Sequence, residues 1–241
     1  MTPSQKYGNL YLFPTLLGGE EMNRCIPDYN NQLLANIRFF VVEELRTARR
    51  FLRKINPDFP IDECDFQLLN EHTKTINGDT LLYPALNGNN MGVLSEAGLP
   101  CIADPGADLV MAAQQKGIKI IPLAGASSIF MALMASGLSG QNFAFHGYLP
   151  TDKQALTAKL QSLENISCKQ QQTQLFMEAP YRNNQLFESV LSTCERNTLL
   201  SIAANITLTS EYIVTKTISE WRQQPLPDLH KQPVIFVLQK K

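Results

Sequence analysis

The sequence predicts an α/β protein made of two α/β domains, on three observations. Short apolar runs alternate with helical patterns through the first half of the 241 residues, as in a parallel sheet with helices on both faces. Three of those runs end in loops that contain glycine. Strands and helices also alternate in the second half, for which we predict a mixed sheet. We place the boundary after Leu123, which gives domains of residues 1–123 and 124–241.

Four strands are predicted in the first domain, each from a short apolar run. They cover residues 9–14, 38–43, 91–95 and 119–123. Helical patterns cover residues 28–36, 44–54 and 108–115. The second helix ends before Asn56-Pro57, because a residue that precedes proline disfavours the α conformation. Residues 66–75 and 77–90 give no clear pattern.

The second domain is predicted to start with a helix at residues 127–137. Strands follow at residues 143–148, 173–178, 199–205 and 233–238, and helices at residues 152–163 and 182–192. Residues 212–216 and 218–221 fit either a strand or a short helix. We find no internal repeats and no low-complexity linker in the sequence.

Residues 120–138 are long and apolar enough to suggest a transmembrane helix. Pro122, Gly125 and three serines interrupt the stretch, and no positive cluster flanks it. A buried strand, a glycine turn and a buried helix explain it better. We therefore expect no membrane contact.

The composition limits the possible partners and metals. The formal net charge is −1, so a nucleic-acid partner would need a local basic patch. Five cysteines and three histidines show no zinc-ligand spacing, and we expect no metal. Free cysteines and an N-terminus without a signal-peptide pattern favour the cytoplasm.

The three glycine-bearing loops cover residues 14–19, 95–106 and 124–128. Open α/β sheets bind ligands outside the carboxyl ends of their strands, where glycine lets the backbone approach a ligand closely. None of the loops fits the dinucleotide or phosphate-loop motif. Each loop alone is typical of a tight turn, but the three together favour a ligand cleft.

Five motifs resemble one known family, and they occur in that family's order. Residues 95–106, SEAGLPCIADPG, are similar to its signature SDAGTPLISDPG. The others are LYLFPTLLG, PLAGASSIFMALMASGL, FHGYLP and FMEAPYR, at residues 10–18, 122–138, 145–150 and 176–182. The chain thus resembles the ribosomal RNA small subunit methyltransferase I family of the tetrapyrrole-methylase fold.

The resemblance implies a homodimer that transfers a methyl group from S-adenosylmethionine (SAM) to an RNA ribose hydroxyl. It implies SAM in a cleft between the two domains. Carried over by position, the cofactor contacts are Pro14, Ser95, Glu96, Ala97, Ile102, Ala126, Ser127, Ser128, Met177 and Pro233. The enzyme must mainly align the methyl group with its acceptor, and a base is needed only if the hydroxyl must lose its proton.

Three residues are candidates for a catalytic role. Glu96 stands where the family has aspartate, and it either contacts the ligand or caps a turn. Glu43 and Arg46 lie in the run EELR, which corresponds to the family's E-D-T-R. The exchanges at Glu44 and Leu45 put the methyl acceptor in question.

Two groups of residues are candidates for substrate contacts. Arg46, Arg49, Arg50 and Arg53 share one helix face beside Lys54, which suits either RNA phosphates or a solvated surface. Glu178, Tyr181 and Arg182 lie at the end of a strand and form either a substrate contact or a helix start.

Two other functions stay open at this point. One is a small-molecule, tetrapyrrole-like methylase of the same fold, which the absence of arginine in TDKQALTAKL, after FHGYLP, favours. The other is a diverged SAM-binding protein without catalysis, which the altered EELR run allows.

Overall fold

The computed structural model describes residues 7–19, 21–70 and 78–240. The chain divides into two compact units, and the division falls between Ser127 and Ser128. The sequence-based limits of 1–123 and 124–241 stay a prediction for the domains. Below, residues up to Ser127 form the first unit and those from Ser128 form the second unit.

The first unit contains a five-stranded sheet in the order β3-β2-β4-β1-β5, and every neighbouring pair is parallel. The strands are β1 Asn9–Phe13, β2 Phe39–Val42, β3 Asp65–Leu68, β4 Met91–Leu94 and β5 Lys119–Pro122. The helices are α1 Met22–Cys25, α2 Asp28–Leu34, α3 Leu45–Ile55, α4 Gly78–Leu81, α5 Tyr83–Leu86 and α6 Gly106–Gln115, with a 3-10 turn at Ile61–Glu63.

Both faces of this sheet are covered, as predicted. Successive strand side chains point to opposite faces, so Phe40 and Val42 lie in one core while Val41 lies in the other. The first core includes residues of α2 and α3, and the second includes residues of α5 and α6. The predicted parallel sheet with helices on both faces is confirmed.

One strand of this sheet was not predicted from the sequence. Strand β3 lies at the sheet edge, where Asp65 and Leu68 are exposed. Its inward contact is made by Phe66, whose ring stacks on Phe40 with centroids 5.4 Å apart. Four residues with only one inward aromatic give too little apolar pattern to predict a strand. The first unit therefore has five strands rather than four.

The second unit contains a mixed five-stranded sheet in the order β6-β7-β10-β8-β9. Strands β6 and β7 are parallel, and the other pairs are antiparallel. The strands are β6 Phe143–Tyr148, β7 Thr173–Met177, β8 Leu199–Ala204, β9 Tyr212–Thr217 and β10 Val234–Gln239. The helices are α7 Ser128–Ser136, α8 Lys153–Gln170, α9 Asn183–Thr193 and α10 Ile218–Trp221, with a 3-10 turn at Pro180–Arg182. The mixed sheet is confirmed.

Helices α8, α9 and α10 pack on this sheet through one apolar cluster. Phe187 meets Trp221 edge to face at 5.4 Å, and the indole Nε1–H donates to the Leu200 carbonyl at 2.9 Å. Helix α8 is longer than the predicted 152–163 because its inner face continues through Glu164 and Ser167, which are buried but polar. Because these two buried residues are polar, the apolar stripe in the sequence ends before the helix does.

The ambiguous segment at residues 212–221 is a strand followed by a helix. Thr217 begins α10 with a capping box, in which its hydroxyl accepts from the Glu220 N–H and the Glu220 carboxylate accepts from the Thr217 N–H. Residues 120–138 contain the end of β5 and all of α7, so the strand, turn and helix are confirmed. No helix within the described ranges is long and apolar enough to span a membrane.

Candidate functional site

The three glycine-bearing loops follow β1, β4 and β5, which are neighbours in the sheet of the first unit. Because these strands are parallel, their carboxyl ends lie at one edge. Thr15 N–H donates to the Gly98 carbonyl at 2.8 Å, and the buried Ser95 hydroxyl donates to the same oxygen at 3.2 Å. The hydroxyls of Thr15 and Ser95 are 3.5 Å apart. The first two loops are thus hydrogen-bonded to each other.

Glycine is required where these loops touch. A Cβ on Gly125 would lie 2.3 Å from the Cβ of Pro14, so no larger residue fits without movement. Gly98 has a φ of +76°, and a Cβ there would lie 2.9 Å from Leu17. The loop after β5 is also held to the helical layer, since Asn30 donates to the Ala124 carbonyl at 2.8 Å. The three loops form one closely packed surface.

The loop at residues 95–106 is strained and held by one carboxylate. Cys101 and Ala103 have φ angles of 68° and 62°, in the left-handed region that non-glycine residues rarely adopt. The Asp104 carboxylate accepts from the N–H groups of Cys101 and Gly106 at 2.8 Å. Ile102, between the two strained residues, is 48% exposed. An exposed apolar side chain therefore lies within strained backbone, and strained backbone often occurs at functional sites.

Glu43 and Glu96 are brought together at the same edge. The backbone N–H of Glu96 donates to the Glu43 Oε1 at 3.1 Å, which joins the end of β2 to the loop after β4. The side chains of Glu96 and Ala97 are exposed. Glu43 also lines a small depression, partly open to solvent, together with Val41, Val42, Leu69, Val93, Leu94, Asp104, Pro105 and Gly106.

Glu44, which stands where the family has aspartate, is held in a structural contact. It is the N-cap of α3, and its carboxylate accepts from the N–H groups of Arg46 at 2.9 Å and Thr47 at 2.6 Å. The hydrogen bond from the Arg46 N–H, followed by that from Thr47, holds the pKa of Glu44 below its ordinary value. The Glu44 carboxylate thus satisfies N–H groups that have no partner within the helix. Residue 44 therefore has a structural role in this chain.

Arg46 and Arg49 belong to an exposed cationic face of α3, formed by Arg46, Arg49, Arg50, Arg53 and Lys54. The opposite side of α3 is buried through Ala48, Phe51 and Leu52. The Arg49 guanidinium lies 5.5 Å from the centroid of the Phe66 ring, and Lys54 Nζ donates to the Gly19 carbonyl at 2.8 Å. None of the five cations forms an ion pair with a carboxylate in the described part of the chain.

In the second unit, Met177 and Pro233 lie at one sheet edge. Met177 ends β7 and pairs with Ile235, while Pro233 immediately precedes β10. The Asn205 N–H donates to the Pro233 carbonyl at 3.0 Å. Ser128 begins α7, the first helix of this unit, and Ser127 is the last residue of the first unit. Cofactor contacts at these residues stay predictions.

Glu178 and Arg182 form a local ion pair of 3.2 Å. The side chains are 4% and 19% exposed, and the Glu178 carboxylate also accepts from the Ala179 N–H at 2.8 Å. Both charges thus hold the turn between β7 and α9, as a helix-start cluster would. Tyr181, which is 66% exposed, is the residue of this group that faces solvent. A substrate role for the three stays a prediction.

Two residues at the edge of the first unit, Thr15 and Asp104, have structural roles that the sequence analysis does not predict. Thr15 ties two loops together, and Asp104 shapes the strained loop before α6. Aspartate often accepts hydrogen bonds from nearby backbone N–H groups in turns, so its place in the run ADPG is the sequence signal that could identify Asp104. No signal identifies Thr15, because its partners are 80 or more residues away.

Burial, aided by Asp104, raises the pKa of Cys101 to about 12, which leaves a neutral thiol there.

No group of three or more histidine, cysteine or acidic side chains that could hold a metal ion occurs among residues 7–19, 21–70 and 78–240. The chemistry available at the first edge consists of exposed backbone, two buried serine hydroxyls, an exposed apolar side chain and exposed carboxylate. Such a surface can hold and orient a ligand with both polar and apolar parts.

Comparisons with known proteins identify the family. The profile of Tetrapyrrole (Corrin/Porphyrin) Methylases matches residues 32–221. A relative from Vibrio cholerae, named ribosomal RNA small subunit methyltransferase I, is 30% identical over 88% of this chain and 69% of its own length. A relative of the same name from Haemophilus influenzae is 31% identical over 96% of this chain and 77% of its own length.

Two solved structures share the fold. The methyltransferase CobJ has a TM-score of 0.62 at 16% identity, with 97% of this chain and 94% of that chain covered. The uroporphyrin-III-C-methyltransferase from Thermus thermophilus has a TM-score of 0.54 at 18% identity, with 97% and 92% covered. The matched profile spans most of the chain, so the chain belongs to the tetrapyrrole methylase family and is a SAM-dependent methyltransferase.

Proposed function

We propose that this protein transfers the methyl group of SAM to a ribose hydroxyl of RNA in the small ribosomal subunit. The observation that carries the choice of acceptor is the similarity to relatives named ribosomal RNA small subunit methyltransferase I, which extends over 88% to 96% of this chain. The cationic face of α3 supports an RNA acceptor, because phosphates are bound by exposed arginine and lysine.

The edge of the first unit fits the cofactor. When bound, SAM supplies an electrophilic methyl group and presents a charged amino-acid group at one end and an aromatic adenine ring at the other. Glu96 and Ala97 are exposed and offer polar backbone groups other than the Glu96 N–H, which already binds Glu43. The Ser95 hydroxyl, which donates to Gly98, keeps its oxygen as an acceptor, the Ser127 hydroxyl is a further polar group, and the outward Ile102 offers an apolar contact. Pro14, packed against Gly125, would form the floor. Ala126, Ser128, Met177 and Pro233 complete the proposed set.

Glu96 is the group we propose to accept the proton of the attacking hydroxyl. Of the three candidates, Arg46 cannot act as a base because its guanidinium stays protonated. Glu43 directs a carboxylate oxygen at the backbone N–H of residue 96, which makes it a positioning residue. The Glu96 side chain is exposed at the loop that we propose holds the cofactor. Alignment by the loops supplies the larger share of catalysis.

We further propose a cytoplasmic homodimer, as the family resemblance implies. Light scattering coupled to gel filtration measures the mass directly. A species of twice the 27.0 kDa chain is expected, and a monomer at micromolar concentration would contradict it.

Methyl transfer to defined acceptors tests the function. Labelled SAM is incubated with an unmodified small-subunit ribosomal RNA transcript, with small subunits assembled from it, and with a tetrapyrrole of the uroporphyrin III type. Incorporation into RNA is expected, and it should fall steeply as salt rises. Label in the tetrapyrrole and none in RNA would overturn the RNA proposal in favour of a small-molecule methylase.

Titration calorimetry tests the cofactor site separately. Ala97→Trp places a bulky ring on an exposed loop position and should weaken SAM binding at least tenfold. Ala158→Trp is the matched control, because Ala158 is exposed on α8 of the second unit. Equal SAM affinity of the two variants would remove the loop at residues 95–97 from the proposed site.

A further inference from the structure

The cationic face of α3 has more positive charge than the folding of this helix requires. Helix α3 has the sequence LRTARRFLRKI, which contains five cations and no carboxylate. The whole chain is balanced, with 21 basic and 22 acidic residues. Like charges four residues apart destabilise a helix, and α3 holds two such arginine pairs, 46 with 50 and 49 with 53. A solvated helix of this chain would be expected to mix both signs.

Other contacts hold α3 in place. The Glu44 cap satisfies two N–H groups at its start, and Phe51 and Leu52 are buried on its inner side. None of the five cations has a carboxylate partner in the described ranges. The arginines can therefore be removed from the outer face without breaking a contact that holds the helix, apart from the Arg49 contact with Phe66.

The geometry of the face suits a nucleic-acid backbone. From Arg46 to Arg53 it runs roughly 10 Å along the helix, at about 1.5 Å per residue. Guanidinium groups bind phosphate through two parallel hydrogen bonds, and an arginine beside an aromatic ring is a common element of nucleic-acid surfaces. Helix α3 also starts two residues after Glu43, whose carboxylate contacts the loop that carries Glu96. A strand held on α3 would thus be led toward that loop.

We propose that the cationic face of α3 is the docking surface for the phosphate backbone of the RNA acceptor. This inference rests on the proposed function and adds where the RNA is held. Arg49, Arg50 and Arg53 bind phosphates outside the methyl-transfer centre. Arg46, nearest the loops, binds a phosphate beside the reacting nucleotide. The surface reads charge and not base sequence, because phosphate contacts position an RNA without specifying it.

The triple variant Arg49→Gln, Arg50→Gln, Arg53→Gln tests the surface and leaves the catalytic candidate Arg46 intact. Binding of a fluorescent, unmodified small-subunit ribosomal RNA transcript is measured over a salt series. Each lost phosphate contact lowers the slope of log affinity against log salt by about 0.7 for single strands. We expect the slope to fall by about 2 and the affinity near 0.1 M salt to fall about a hundredfold. SAM affinity should not change, and the thermal unfolding midpoint should fall by no more than a few degrees, from the lost contact between Arg49 and Phe66.

The matched control is Lys119→Gln, Lys169→Gln, Arg196→Gln, which removes the same charge from exposed positions elsewhere. This control should keep the wild-type slope within about 0.5. An equal loss in both triple variants would overturn the proposal, because binding would then follow net charge alone. If the α3 triple variant unfolds, Arg50→Glu alone must lower the slope by at least about 1, and an unchanged slope refutes the surface.

The same preparations separate this proposal from the proposed function. Methyl incorporation into RNA by the wild type, together with wild-type RNA affinity in the α3 triple variant, would refute the surface and leave the function standing. Absence of RNA incorporation by the folded, SAM-binding wild type would refute both. Preferential binding of an acidic polypeptide such as polyglutamate over the transcript at equal salt would show that the face serves a protein partner, and would also refute the proposal.

Discussion

The two regions that contain the proposed cofactor contacts are built in different ways. One, the first edge, is formed by the loops after β1, β4 and β5 in the first unit, and the other, the second edge, is formed by the end of β7 and the start of β10 in the second unit. In the first unit, the edge consists of loops that pack through glycines and backbone hydrogen bonds, so that Ala97 and Ile102 stay exposed. In the second unit, the edge is held by side chains, above all by the pair Glu178 and Arg182. An edge built from backbone leaves side chains available for a ligand, whereas an edge built from side chains uses them for its own structure.

Removal of Arg182 should have the largest effect on stability. Arg182→Met leaves the Glu178 carboxylate buried with one hydrogen bond, to Ala179. Breaking a buried pair by removing one partner costs about 3 kcal/mol or more, which urea unfolding would measure. The control Lys116→Met breaks the exposed pair with Asp79 and should cost about 0.5 kcal/mol. Equal losses in the two variants would show that Glu178 and Arg182 do not hold the second edge.

A methyl group on Gly125 should disrupt the first edge. Its Cβ would lie 2.3 Å from Pro14 Cβ, and such overpacking costs about 2 kcal/mol. Gly125→Ala should also weaken SAM binding, because the loops that touch must separate. Gly140→Ala is the control, since its nearest neighbour would be 4.0 Å away. A variant at residue 125 that is as stable as the control would contradict the close packing.

Asp104→Asn should loosen the strained loop by a smaller amount. The amide keeps the shape of the carboxylate but loses its charge and one acceptor oxygen, which costs about 1 kcal/mol in unfolding free energy. SAM affinity should fall with it because Ile102 is no longer held outward. Asp108→Asn, on the exposed first turn of α6, is the control and should change neither property. Unchanged SAM affinity in Asp104→Asn would separate the strained loop from the cofactor.

The Glu44 cap should give a pH-dependent difference, the smallest of the four effects. Its folded pKa lies below the ordinary value of 4.5, so folding favours the ionised carboxylate. The stabilisation is present above that ordinary pKa and is lost as the pH falls through the lowered, folded pKa. Glu44→Gln should therefore be less stable than the wild type at pH 7, with a gap that narrows at pH 3. A gap that is constant over that range would contradict the cap.

Most of the fold could be predicted from apolar periodicity and glycine. The runs that became β1, β2, β4 and β5 are continuous apolar segments, as in sheets covered on both faces. Strand β3 was missed because an edge strand of four residues has one inward aromatic side chain. The end of α8 was missed because Glu164 and Ser167, although buried, are polar.

The candidate site was predictable where it depends on backbone and not where it depends on distant side chains. The loops at residues 14–19 and 95–106 are predicted from their proline and glycine residues. The contact between Glu43 and the N–H of residue 96 joins positions 53 residues apart, and no local pattern encodes it. The Glu44 cap depends on the residue at which α3 begins. The predicted helix begins at residue 44, whereas α3 begins at Leu45 and leaves Glu44 as its N-cap.

The contact between Glu43 and residue 96 has a consequence for how this site can change over generations. Glu43 binds the main-chain N–H of residue 96 and so does not depend on which side chain that residue carries. A mutation at residue 96 can therefore lengthen or shorten its acidic side chain, as from aspartate to glutamate, while the loop keeps the hydrogen bond to Glu43 as its anchor. The anchor and the acid that it positions are different residues, so the reach of the acid can change for a new acceptor without loss of the anchor.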